Sequence, residues 1–333
     1  MTTARSPRAL ALAAIAVALL SALFFTCTYV LNRAAAVDGG HWAWIASLRY
    51  LITLPLMLPL MRWQGGIAPV WHAIGLHPGP WLLWSGIGFV LFYTCLSFAA
   101  ASGPSWLVAG TFQLTVVAGM LSAPLLYRSR GMRDARARIP PAALLCGLVV
   151  VAGVLLMQFG QADGRLDRGA WIALVCVAVS AFAYPIGNRG LLLHLERTGI
   201  DLNATQRVFG MTLASQPLWL AVAVFALHRA GPPSTSQVML AAGVALGAGV
   251  IATVLFFQAT GMVRRNPSAL AAAEAMQAAE ILFATLIGAL WLGEAWPQGT
   301  ALIGAGLVVV GIVLFSAVAA REPAVELPDS RAA

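Results

Sequence analysis

Ten apolar runs of about twenty to twenty-six residues dominate this sequence and leave it few ways to fold. They cover residues 9–31, 42–61, 81–101, 104–126, 140–160, 169–190, 206–228, 237–260, 267–292 and 297–319. A bilayer core about 30 Å thick is crossed by roughly 20 helical residues, so each run is one crossing long. Lipid offers no partner to a backbone amide, so a crossing segment is either a helix or a strand of a closed barrel. The alternating pattern of barrel strands is missing. With 60% apolar and 10% charged residues, a chain of 333 residues could not bury its apolar surplus in water. The predicted fold class is an all-α integral membrane protein with about ten transmembrane helices.

Turn signals separate most runs, among them Asp38-Gly39-Gly40, Gly103-Pro104, Pro140-Pro141, Gly231-Pro232-Pro233 and Asn266-Pro267. All 20 basic residues are arginine. With the N-terminus inside, 15 of them fall in cytoplasmic segments, from Arg5 and Arg8 to Arg321 and Arg331, against 4 outside, Arg33, Arg165, Arg168 and Arg229. Arginine in short loops holds those loops in the cytoplasm. The expectation is a multi-pass protein of the cell (inner) membrane with both termini cytoplasmic. Arg5 and Arg8 before the first run, with Ala34-Ala35-Ala36 after it, also fit a signal peptide, although the run is long for one. The stretch RSRGMRDARAR at 128–138 is expected to rest on anionic lipid heads, and the net charge of +8 is read as orientation, not as a nucleic-acid surface.

The absence of lysine excludes a Walker A loop and any Schiff-base cofactor. Cys27, Cys95, Cys146 and Cys176 lie inside apolar runs without CxxC or histidine at ligand spacing, so neither a metal site nor a cofactor is expected. No HExxH or GxSxG motif points to an enzyme.

Gly147-Leu148-Val149-Val150-Val151 recurs as Gly306-Leu307-Val308-Val309-Val310, 159 residues later. Nearly the same offset pairs Asn32-Arg33 with Asn188-Arg189, Arg49 with Arg207, Gly86-Ile87-Gly88 with Gly247-Ala248-Gly249, Pro104-Ser105 with Pro267-Ser268, and Gln113 with Gln277. Five spans repeated make ten, and because five is odd the second copy enters the membrane from the opposite side, as two inverted five-helix repeats. The domain plan is a cytoplasmic N-terminus (1–8), a first repeat (9–160) with a basic cytoplasmic loop (127–139), a second repeat (161–319) and a disordered cytoplasmic tail (320–333).

Arg49 and Arg207 near the starts of spans two and seven, Phe257-Gln258-Ala259 in span eight, Asn266-Pro267-Ser268 at the entry to span nine, and Leu292-Gly293-Glu294 before a Gly-rich last span stand in a telling order. In these residues the chain resembles the drug/metabolite transporter superfamily, ten-helix exporters built as a doubled five-helix unit, and especially its multidrug resistance efflux-like members. The resemblance covers essentially the whole chain. It departs at Tyr127-Arg128, where the family often has Gly-Glu, and in the two acids inside span nine. It implies a secondary active exporter of small organic or amphipathic compounds, with amino acids or other metabolites as the alternative cargo. A passive channel-like or structural membrane protein is the reading from a different class, and the assembly is a monomer or a homodimer.

Glu274 and Glu280 are the acids well inside a span, and a carboxylate at that depth costs several kcal/mol. At about 100° per residue, Glu274, Gln277 and Glu280 form a polar arc of roughly 120° on one helix face, mixed with Leu270 and Ile281. Such acids titrate nearer neutrality, which suits proton-coupled antiport, while a structural carboxylate paired with Arg49 is the plain alternative. Gln113, the repeat mate of Gln277, is a cavity amide or interhelical glue, and Gln258 is weaker on the same grounds. Arg49 either snorkels to the outer interface or serves as a buried cation. Tyr184-Pro185 followed by Gly187-Asn188 predicts a kink in span six, which puts Tyr184 and Asn188 at a cavity mouth. The tryptophans are read mostly as an interfacial belt.

Overall fold

The computed structural model of the protein describes residues 7–127, 141–161, 168–263 and 267–319. The stretch at 128–138, Asn266, the first six residues and the tail 320–333 lie outside the described residues, and so do the expectations placed on them.

Among the described residues every regular element is helical. Nine helical segments of the described residues are long and apolar enough to cross a membrane: Arg8–Val37 (span one), Trp42–Trp63 (two), Pro78–Ala100 (three), Ser105–Leu126 (four), Pro141–Gln161 (five), Arg168–Thr198 (six), Thr235–Val263 (eight), Ala272–Leu292 (nine) and Gly299–Val318 (ten). Span seven is a bent pair, Ala204–Ala214 and Gln216–Ala230, which meet at 46°. Ala68–Leu76 is a short extra helix between spans two and three. Span six continues past its expected end to Thr198, because the leucine-rich LLLHLERT sequence contains no breaker until Gly199, which takes a positive φ of 67°. It also carries Pro185 inside one continuous helix.

The helices are interrupted elsewhere: span one breaks at Thr26, between Pro7–Phe25 and Cys27–Val37, and four further interruptions form two pairs. Span three widens into a π-helical turn over Gly86–Leu91, and span eight does the same over Ala245–Ala252. Span four breaks at Gln113, between Ser105–Phe112 and Leu114–Tyr127, and span nine tightens into a 3₁₀ turn over Met276–Ala278 around Gln277. Both pairs fall at the offset of the sequence repeat, which is consistent with two inverted halves.

Consecutive spans reverse direction, so one end of the bundle carries Arg62, Arg197 and Arg207 and the other carries Gly39, Gly103, Gly231 and Glu294. These are called the arginine-rich and arginine-poor ends below. Helices in lipid gain little from hydrophobicity against one another and associate through close backbone approach at small residues. Spans five and ten, which hold the repeated pentapeptide, pack this way: a Cβ on Gly153 would stand 2.7 Å from the Gly304 carbonyl oxygen. Spans three and six meet at Gly88 and Gly187, where a Cβ on Gly88 would reach 3.0 Å from the Gly187 Cα. Gly153→Leu is therefore expected to lose about 3 kcal/mol, because backbone cannot yield as a side chain does. Gly306→Ala, with nothing within 4 Å of the added carbon, is expected to be neutral. Thermal unfolding of both variants in detergent checks the contrast.

Candidate functional site

Four of the five tyrosines, Tyr29, Tyr50, Tyr93 and Tyr184, stand well inside spans one, two, three and six, where a hydroxyl needs a partner. They converge with phenylalanines into one aromatic wall. Tyr29 lies 6.4 Å from Phe112, Phe112 5.5 Å from Phe92, Phe92 5.8 Å from Tyr93 and Tyr93 5.6 Å from Tyr50, as ring-centroid distances. Trp219 of span seven stacks on Tyr50 at 4.6 Å and 10°. Tyr184 touches Phe92 at 5.0 Å and Phe112 at 6.2 Å and keeps 40% of its surface exposed, so it forms the outer edge of the wall.

The helix interruptions place this wall. Phe89 sits in the π-turn of span three and Phe92 directly after it, Phe112 ends the first half of span four, and Glu280 follows the 3₁₀ turn of span nine. Glu280 is 6% exposed, and the Tyr29 hydroxyl donates to its Oε2 at 2.8 Å. At the far end of the wall Arg49 is 8% exposed, with its Cζ 3.9 Å from the centre of the Tyr93 ring and 5.0 Å from that of Tyr50. The guanidinium therefore turns inward and does not snorkel. Among the described residues no carboxylate lies within 4.0 Å of Arg49, and its Nη1 has no hydrogen-bond acceptor. A desolvated cation–π contact supplies about 2 kcal/mol. Burying the ion costs several, so the rings offset only part of it. Tyr93 is held in place in turn, since its hydroxyl donates to Asn32 Oδ1 at 3.0 Å.

Of the residues singled out in the sequence, Glu280 and Tyr184 line this wall and Arg49 ends it. Gln113 is buried at the break of span four, and Gln277 sits in the 3₁₀ turn with its Nε2 buried and unpartnered. Glu274 does not share the setting of Glu280. It is exposed, on the arginine-rich side of the turn, whereas Glu280 lies buried beyond it, nearer the middle of the span. Gln258 is likewise exposed in span eight, and Asn188 uses its amide on the Tyr184 carbonyl of its own helix at 2.8 Å. The ring wall, Asn32 and a Gln158–Thr111 hydrogen bond of 2.8 Å went unread in the sequence. Tyrosines placed away from span ends were the available signal. The belt reading suits Trp63, Trp171, Trp291 and Trp296, which are exposed, but not Trp81, Trp106 or Trp219, which are buried.

A second cluster closes the arginine-poor end. Pro104 occupies the N-cap position of the Ser105–Phe112 helix and has no side-chain oxygen to offer. Glu294, after span nine, supplies the cap: both carboxylate oxygens accept from the Ser105 N–H at 3.0 Å and Oε1 accepts from the Ser105 hydroxyl at 3.1 Å. Arg33 of span one stands 3.6 Å from the same carboxylate and donates to the Ala101 carbonyl at 2.9 Å. Gly293, at φ 65°, makes the turn that brings Glu294 there. At the arginine-rich end Arg189, the repeat mate of Arg33, donates to the Gly119 carbonyl. Cavities of about 330 Å³ and 520 Å³ open at the arginine-poor and arginine-rich ends, flanking span six, and neither includes Glu280.

A family model described as "Putative multidrug resistance efflux transporter" (EmrE) matches residues 12–321. The chain belongs to this EmrE-like efflux transporter family. Similar proteins include the uncharacterized protein YjlA of Bacillus subtilis (strain 168), 40% identical over 305 residues that cover 90% of this chain and 93% of that one. Another is an uncharacterized 42.1 kDa protein of Shouchella clausii, from the 3′ region of an intracellular alkaline protease, 39% identical over 272 residues and covering 81% and 71%. One solved structure, titled only "Crystal structure of protein", shares the fold with a TM-score of 0.55 at 18% identity, over 93% of this chain and 98% of that one. The family is one of membrane transporters, and its model spans both halves of the chain.

The cap at Ser105 makes a measurable claim. Glu294→Ala is expected to lower stability by about 1–2 kcal/mol, while Glu294→Gln, which keeps an acceptor oxygen, recovers part of that loss. Equal unfolding temperatures for the wild type and Glu294→Ala in detergent would show that the clamp contributes nothing.

Proposed function

We propose that this transporter exports small amphipathic organic compounds by alternating access, coupled to inward proton movement, with Glu280 as the coupling carboxylate. The observation that carries the reading is the setting of Glu280: a buried acid in the middle of a span, held by one tyrosine hydroxyl, at the edge of an aromatic wall. An ionised carboxylate there is costly, and either a proton or a polar group of the cargo relieves the cost. The two compete for one site, which is what an exchanger needs. Gln113 and Gln277, at the paired breaks of spans four and nine, offer amides from both repeats. By the arginine distribution the arginine-rich end faces the cytoplasm, so the Glu294 clamp closes the outer side. The two repeats, 9–160 and 161–319, are then the halves that exchange conformation.

The test is export driven by a pH gradient in inverted vesicles, with a panel that includes ethidium and indole-3-acetate. Glu280→Gln is expected to abolish gradient-driven movement at normal protein levels, and Glu274→Gln to keep at least about half of it, consistent with its separate, exposed setting. Full activity in Glu280→Gln would sink the coupling role.

A further inference from the structure

Arg49 has no part in the proton exchange proposed above, and its surroundings leave it incomplete. Its guanidinium packs face-on against Tyr93, which occupies the ring side, while Nη1 is buried without an acceptor. Glu280 does not answer it: no carboxylate of the described residues lies within 4.0 Å of the guanidinium, and Glu280 accepts from Tyr29 instead. Tyr93 is committed to Asn32 and Tyr50 to Trp219, so the platform under the cation is itself braced. A planar, permanently charged donor group whose buried Nη1 lacks an acceptor suits a carboxylate oxygen and disfavours a cation.

We infer that Arg49 binds the carboxylate of the transported compound, whose apolar or aromatic body lies along Tyr93, Phe92 and Phe112. This rests on the export reading and narrows its cargo to organic carboxylates with an apolar body. A plain acid and a zwitterion share that chemistry. In a zwitterion the ammonium group falls to the Glu280 end of the wall.

Binding to the purified full-length protein is measured by calorimetry at pH 7 with matched probes: indole-3-acetate and phenylacetate, their methyl esters, tryptamine and tryptophan. At least one carboxylate probe is expected to bind 10-fold or more tightly than its ester and than tryptamine. Arg49→Gln is expected to erase that preference, and Arg49→Lys to keep it at reduced affinity. Tighter binding of tryptophan than of indole-3-acetate, lost in Glu280→Gln, identifies a zwitterionic cargo, and the reverse order identifies a plain acid. Should Arg49→Gln fail to fold, the wild-type ranking and Arg49→Lys decide. Esters or tryptamine binding as tightly as the acids, no carboxylate binding at all, or an unchanged preference in a folded Arg49→Gln protein overturns the inference. Ethidium export that requires Glu280, without any carboxylate binding, overturns the anion site and leaves the exporter reading standing. Carboxylate binding through Arg49 with no gradient-driven transport of any compound does the opposite.

Discussion

A backbone amide in the hydrocarbon of a membrane has no water to turn to, so each departure from a regular helix has to be met by a neighbouring group. Four of this protein's departures form two matched pairs, the π-turns of spans three and eight and the altered turns at Gln113 and Met276–Ala278. Some of the compensation is visible: the Thr253 hydroxyl donates to the Ala248 carbonyl at 3.2 Å within the second π-turn. The departures are where the chemistry gathers. Phe89, Phe92, Phe112 and Glu280 all lie in or beside an interruption, so the irregular backbone aims the aromatic wall and the buried acid at one region between the repeats.

Two opposite charges within one membrane protein would most simply neutralise each other. Here Glu280 and Arg49 do not pair, and each is set against a tyrosine of one aromatic wall. An ion pair, Arg33 with Glu294, sits instead at the arginine-poor end, where it closes helix ends together. The contrast divides the charged groups into those that fasten the bundle and those left open toward its interior. A transport protein gains from that division, since a fastened end can be released and an open charge can meet a passing one.

How much of this was legible in the sequence differs by residue. Run length set the number of crossings, and the Arg33/Arg189 and Gln113/Gln277 spacings pointed to two related halves, because each rests on local composition or on offsets along the chain. Glu280 stood out because acids are rare in lipid. Glu274 and Glu280 share one arc of the span, yet only Glu280 is buried, because burial depends on which neighbouring helices cover each turn. Arg49 was read with snorkelling as one option, yet it points to Tyr93, a residue 44 positions away that no spacing rule connects to it. Glu294 was seen as part of a family motif, and its role as a cap for Ser105 depends on a contact 189 residues apart.

By itself the sequence determined that the chain is a bundle of about ten crossing helices and where most of them begin and end, because bilayer thickness and backbone hydrogen bonding act on each segment alone. Only the tertiary structure decided which faces meet, that four tyrosines form one wall, and that Arg49 and Glu280 share it without pairing. Those outcomes depend on how closely helices approach at Gly88, Gly153, Gly187 and Gly304, a matter of three-dimensional packing that no single segment encodes.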